Sequence, residues 1–187
     1  DMSIVDVPAR TAGYITGKRG KNLQTLEEEW GAIAVLARPE RTTSEPSSGE
    51  PISAGGEGKG THRLAIFGPR RARRALELRI MSMIEQMEPG HFCDRDGDLR
   101  EPLNQPGDDP EDKDWNYSTR VLSMEEISYA IGKQGMTRIR LVRASGCVLE
   151  YIGKTAVMAG SRRERKLVAD YLDFVLKHRA KVLDVGG

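Results

Sequence analysis

The feature that most constrains this chain is that it repeats itself. An offset of 115 residues superposes Gly17, Lys18 and Gly20 on Gly132, Lys133 and Gly135, and without a gap also pairs Tyr14 with Tyr129, Leu26 with Leu141 and Gly31 with Gly146. A second offset, of 92 residues, matches GPRRARRA (68–75) with GSRRERKL (160–167). Two offsets mean two copies of one unit, the first carrying an insertion between its matched blocks. That insertion is visible as residues 40–61, ERTTSEPSSGEPISAGGEGKGT, whose Gly, Ser, Pro and Glu content buries too little apolar surface to offset the entropy of ordering. It is expected to be a mobile loop. Between the copies, residues 88–114 hold four prolines and an excess of Asp and Glu, which predicts an extended, self-repelling linker. The expected divisions are therefore 1–87, the linker 88–114, a second unit over 115–181 and a tail over 182–187.

Hydrophobic periodicity assigns the same elements to each copy. MSIVDV alternates as a strand, ARTAGYIT follows Pro8 as a short helix, and KNLQTLEEEW is a second helix with Leu23 and Leu26 on one face. AIAVLA and HRLAIF read as strands around the loop. Pro69 opens a long helix whose Ala72, Leu76, Ile80, Met83 and Met87 form an apolar stripe. The second copy runs in parallel: STRVLS, a helix opened by a Ser123/Glu126 capping box, GKQG, a helix to Ala144, strands CVLEYI and TAVMAG, and a last helix opened by a Ser161/Glu164 box. The predicted order is βααββα twice, an α+β fold.

Composition narrows the function by exclusion. With 29 Lys+Arg against 28 Asp+Glu, the net charge is +1, so a basic surface can arise only by local clustering. Cys93 and Cys147 lie far apart without ligand spacing, which argues against a disulfide framework or a zinc site and predicts free thiols in a reducing compartment. No apolar run approaches the roughly 18 residues of a membrane span, and DMSIVDVPAR lacks the features of a signal peptide. An intracellular location, cytoplasmic or nuclear, is expected; the start at Asp1 leaves an organellar one open. His62, His91 and His178 are scattered, and no paired carboxylates, activated nucleophile or metal cluster can be placed together, so no enzyme, cofactor or metal is expected.

The glycine loops carry the positive signal. Where one helix ends and another begins within four residues, a residue tolerating positive φ is needed, and Gly17 and Gly132 supply it. The second glycine, Gly20 or Gly135, stands at a helix start, where a missing side chain lets an anion approach free N–H groups and the positive end of the dipole. Lys18, Arg19 and Lys21 turn the first loop into an anion clamp; the second has Lys133 and Gln134 and is weaker.

With these loops in their helical context, AGYITGKRGKNLQTLEEEWGA and ISYAIGKQGMTRIRLVRASGC resemble the core of the type I K-homology (KH) domain, a module for single-stranded RNA or DNA. The resemblance covers residues 2–87 and 117 to about 179, apart from the inserted loop. It implies two type I KH domains, each with a three-stranded antiparallel sheet packed against three helices, and no membrane partner. It also implies clamps at Gly17, Lys18, Arg19 and Gly20 and at Gly132, Lys133, Gln134 and Gly135, holding about four nucleotides each. Groove walls would come from Ile15, Leu23 and Ala34 in the first copy and from Ala130, Leu141 and Leu149 in the second. Arg138 departs from the apolar residue expected at its position and, with Arg140 and Arg143, is a candidate extension of a phosphate track. Trp30 stands where a small polar residue is usual, and either packs against the strand or blocks part of the groove. RRARR (70–74) and RRERK (162–166) are expected to be solvated helix faces. The implied function is single-stranded RNA binding by an adaptor or regulator in a ribonucleoprotein, with single-stranded DNA as a second ligand. The alternative is a subunit or scaffold of an RNA–protein assembly in which one copy, more readily the second, contacts protein instead.

Overall fold

The computed structural model describes residues 2–37, 60–101, 103 and 114–178. The inserted loop, apart from Gly60 and Thr61, and the tail lie outside the described residues. The first half runs β1 (Met2–Pro8), α1 (Ala9–Thr16), α2 (Lys21–Trp30), β2 (Ile33–Ala37), β3 (Thr61–Phe67) and α3 (Arg70–Met87). The second runs β4 (Trp115–Val121), α4 (Met124–Ile131), α5 (Met136–Ser145), β5 (Val148–Ile152), β6 (Thr155–Ser161) and α6 (Arg162–Lys177). Single 3₁₀ turns, Lys18–Gly20 and Lys133–Gly135, join the paired helices. The protein is therefore α+β, with two three-stranded antiparallel sheets ordered β1-β3-β2 and β4-β6-β5 and six α-helices.

Local chemistry sets several of these boundaries. In both capping boxes the serine hydroxyl accepts the backbone N–H of the glutamate while that carboxylate accepts the serine N–H, so α4 and α6 begin where the Ser123/Glu126 and Ser161/Glu164 spacings predict. The repeated GxRRxR block also has a structural cause. Arg73 Nε donates to Gly68 O at 3.0 Å, and Arg165 Nε donates to Gly160 O at 3.1 Å, each arginine tying its helix back to the preceding strand end.

Packing departs from the sequence reading at α3. A one-sided apolar stripe predicts one buried face, yet residues 73–78 and 80–85 are all buried. The reason is position: α3 packs against its own sheet and, on its other side, against β5 of the second sheet. A single core cluster accordingly unites Val5, Leu64, Ile66, Leu76 and Ile80 with Val148, Ile152, Val157 and Ala159. A second cluster, including Leu122, Ile127, Leu172 and Leu176, lies between the second sheet and its own helices. The charged residues on the inner side of α3 are buried only because they are bonded. Arg73 also donates to Ser3 Oγ at 2.8 Å, Arg74 pairs with Glu77 at 3.0 Å, and Glu85 accepts the N–H groups of Gly90 and Phe92 at 2.6 and 2.7 Å. The expectation of a solvated RRARR face thus fails for Arg73, which is held by Gly68 O and Ser3 Oγ against its own sheet, and for Arg74, which is buried with Glu77 of the same helix. RRERK, on α6, is exposed at Arg162, Arg163 and Lys166.

The expected extended linker differs from the structure over its first part. Asp94 Oδ1 accepts from the N–H groups of Asp96, Gly97 and Asp98, Cys93 and Leu99 form an antiparallel bridge, and Arg100 N–H donates to Phe92 O. This small hairpin docks on the second half: Cys93 Sγ lies 3.2 Å from Ile152 O, and Thr155 Oγ1 donates to Gly97 O. Four isolated apolar residues, Phe92, Cys93, Leu99 and Leu103, fix the segment to the core despite its acidic composition. Both thiols are free and buried; burial first of all pushes Cys93 up to about 11 and Cys147 up to about 12, which makes them packed groups and not nucleophiles.

Candidate nucleic-acid interface

Each glycine loop is built the same way. Helix α1 ends at Gly17 (φ 68°, ψ −177°), whose N–H donates to Gly13 O; α4 ends at Gly132 (φ 72°, ψ 175°), whose N–H donates to Ser128 O. A tight turn follows, closed by Gly20 N–H to Gly17 O at 3.2 Å and by Gly135 N–H to Gly132 O at 3.1 Å. Gly20 and Gly135, both left-handed, then open α2 and α5.

The two glycines of a loop are needed for different reasons. A Cβ on Gly17 would stand 2.6 Å from Asn22 Cβ, and one on Gly132 would stand 2.1 Å from Thr137 Oγ1. The first glycine thus lets the turn close against the next helix. A Cβ on Gly20 or Gly135 would meet nothing within 4 Å, so there the requirement is the positive φ alone and the space outside stays open.

Between the glycines, Arg19 (φ 57°, ψ 30°) and Gln134 (φ 54°, ψ 28°) also adopt left-handed backbone, the only two non-glycine residues to do so among those described. Such a conformation costs a non-glycine residue about 1 kcal/mol or more. The strain sits at the same position of both loops, and it leaves the side chains of Lys18, Arg19, Lys133 and Gln134 exposed, with that of Lys21 beside them. No side chain caps α2 or α5, whereas α4 and α6 have filled capping boxes. Helices α1 and α3, which follow Pro8 and Pro69, also lack a side-chain cap, so what sets α2 and α5 apart is the open glycine turn with exposed cations at their first N–H groups.

Asn22 was not singled out from sequence. Its Nδ2 donates to Tyr14 O and Ile15 O, both at 3.1 Å, and so caps the end of α1 from the start of α2, holding the turn shut. The available signal was positional: Asn22 and Thr137 are a polar pair at the 115-residue offset.

The six side chains expected to wall the grooves, Ile15, Leu23, Ala34, Ala130, Leu141 and Leu149, are all buried in the two core clusters. They form the floor beneath the loops: Ile15, Leu23, Ala130 and Leu141 lie on helix faces turned to the sheet, and Ala34 and Leu149 on strand faces turned to the helices. The edge strands beside them are already engaged. Glu27 Oε1 accepts Ala34 N–H at 2.6 Å in the first half, while in the second Arg138 Nη1 donates to Leu149 O at 3.3 Å and to Glu150 at 2.6 Å.

Arg138 therefore does not stand free as a phosphate contact. Its partner Glu150 lies between it and Arg79 of α3, 4.0 Å away; burial raises the Glu150 carboxyl against the opposing pull of the two arginines. Arg140 and Arg143 are exposed on α5. Trp30 packs against the first core cluster, which chooses packing from the two alternatives. Tyr14 is exposed and Tyr129 half-buried. Among the described residues no group of His, Cys, Asp or Glu is arranged to hold a metal ion, and no helix is long and apolar enough to cross a membrane.

No protein-family model and no curated protein matches this chain. Among solved structures, it is similar to Dim2p from Pyrococcus horikoshii OT3, with 12% identity over 94% of this chain and 90% of that one, at a TM-score of 0.39. The a/eIF2alpha-aDim2p-rRNA complex from the same organism gives 15% identity, 95% and 94% coverage and a TM-score of 0.36. The first KH type I domain of human Vigilin gives 13% identity over 47% of this chain and 89% of that one, at 0.33. Likenesses this distant carry no argument, and the functional reading rests on the loops themselves.

Proposed function

We propose that the chain is a tandem type I KH protein that binds single-stranded RNA through its glycine loops, without catalysis, and serves as an intracellular adaptor or regulator in a ribonucleoprotein. The observation that carries this reading is the loop geometry shared by both halves: a closed helix–turn–helix with an exposed, strained residue between two glycines, opening a helix that no side chain caps. Nothing in the core requires an arginine in left-handed backbone at position 19. A phosphate held by the N–H groups of the following helix and by Lys18, Arg19 and Lys21 supplies a reason for it.

A second reading applies to the second half alone, where Gln134 replaces Arg19 and Arg138 is bound to Glu150 and Leu149. With one loop cation in place of three, that half contributes less to RNA affinity or contacts protein, as a scaffold would. The test is fluorescence anisotropy of the whole chain with a long unstructured RNA. Replacing both Lys18 and Arg19 by Asp puts like charge against phosphate and should weaken binding by about a hundredfold, with little change in melting temperature since both side chains are exposed. The pair Lys133→Asp and Gln134→Asp should cost less. Unchanged binding in the first variant would overturn the proposal.

A further inference from the structure

We propose that the outer face of the first sheet, turned away from α1, α2 and α3, is a docking site for an amphipathic α-helix of a partner protein. The sheet registers lead to it. Met2 and Ile33 both pair with Phe67, and Val35 pairs with Ala65, so these side chains lie in adjoining rows on one face. At the repeat offsets the same positions in the second sheet are Tyr117, Val148 and Ala159 in the first row and Glu150 and Val157 in the next.

In the second sheet this face is covered. Helix α3 lies on it, and Val148, Val157 and Ala159 are 4%, 0% and 1% exposed within the shared core. In the first sheet the corresponding side chains are open: Ile33 is 63% exposed, Val35 53%, Phe67 40% and Met2 36%. Four large apolar side chains left in water on one face are a patch of the kind that marks an interaction surface, not scattered surface residues.

The molecule itself shows what such a face accepts. The surface of α3 turned to the second sheet places Arg71, Ala75, Leu78, Ser82 and Glu85 at alternating spacings of four and three residues. Arg71 from this stripe bonds Gly146 O and Glu164, the latter at 2.7 Å. Small residues at 75 and 82 let the helix approach the strands closely. Charge refines the partner. Arg79 of α3 faces Glu150, but Val35 holds the place of Glu150 in the first sheet, so the incoming helix needs an apolar residue where α3 has Arg79. Toward the other end the pair Asp6 and Arg63, 3.9 Å apart and well exposed, offers both signs of charge to a polar helix end.

The test uses the full chain and a labelled synthetic peptide of residues 70–87 carrying Arg79→Leu as a surrogate helix, read by fluorescence anisotropy. Saturable binding is expected, weakened at least about tenfold by Val35→Asp and by Ile33→Asp, and unchanged when Lys18 and Arg19 are both replaced by Asp. Both patch positions are exposed, so these variants should keep the wild-type melting curve. Sedimentation should show a monomer. Absence of saturable binding, or binding insensitive to both variants, overturns the proposal. A wild-type dimer that Val35→Asp dissolves assigns the face to a second copy, and loss of RNA affinity on Val35→Asp assigns it to nucleic acid; either result also overturns it.

Discussion

The two glycines of one loop look interchangeable in a motif and are not in the molecule. Alanine at Gly17 must accept φ 68° and also place its Cβ 2.6 Å from Asn22, displacing the side chain that caps α1; alanine at Gly20 meets only the φ of 77°. Gly17→Ala should therefore cost about 3 kcal/mol and Gly20→Ala about 1 kcal/mol. In a chain of this size those costs correspond to about 9 °C and about 3 °C in melting temperature. A thermal melt in which Gly20→Ala is the worse of the two would show that the open space outside Gly20 is not open. Arg19 makes the complementary point: its side chain is exposed, so packing does not account for the left-handed backbone it adopts.

At the scale of elements, one carboxylate both caps α6 and ties it to α3, while Asp173 further along the helix pairs with Arg120 of β4. Glu164 caps its own helix by accepting Ser161 N–H at 2.8 Å, and it receives Arg71 from α3 at 2.7 Å. Burial raises this carboxyl, but the Ser161 and Arg71 hydrogen bonds outweigh that and hold it below its usual 4.5. A carboxylate lowered in the folded state stabilises above its unfolded value and loses that contribution as pH falls through the folded one. Acidification below about pH 4.5 should thus release the cap and the contact to α3 together. Glu164→Gln should lower stability at pH 7 by roughly 1 kcal/mol and lose part of the difference between pH 7 and pH 3 seen in wild type. Urea titrations at the two pH values check it. A variant with the wild-type pH dependence would mean that other carboxylates control acid unfolding.

For the whole molecule, the decisive fact is that α3 lies between two sheets. A fragment of residues 1–90 would expose the side of α3 that faces β5, and residues 112–187 alone would expose Val148, Val157 and Ala159. Neither is expected to fold as stably as the intact chain, which should unfold in a single transition. Val157, fully buried on the central strand at the seam, is the point to break it. Val157→Asp puts an unpaired charge into the shared core and should cost at least about 4 kcal/mol. Differential scanning calorimetry of that variant should show both halves weakened together; a first half melting as in wild type would mean that the seam does not couple them.

The parts of this protein legible from residue order are those whose cause is local. A glycine needed for positive φ, a serine three residues before a glutamate, and alternation along MSIVDV all act within a few residues of chain, so the loops at 17–20 and 132–135 and the starts of α4 and α6 could be placed without coordinates. Burial could not, because it depends on what lies opposite. Arg73 and Arg74 read as solvated until Ser3 of β1 and Glu77 of the same helix bond them, and Ile15, Leu23 and Ala34 read as walls until helices and strand pack them together as the floor. Arg138 reads as a free cation until Glu150 arrives from a strand 12 residues away. The same holds for residues 88–101, where acidic composition predicts an extended chain and the scattered side chains of Phe92, Cys93 and Leu99 find a surface contributed by the other half. Local propensity acts along the chain; apolar burial and charge pairing act across it, and only the folded arrangement decides which surfaces meet.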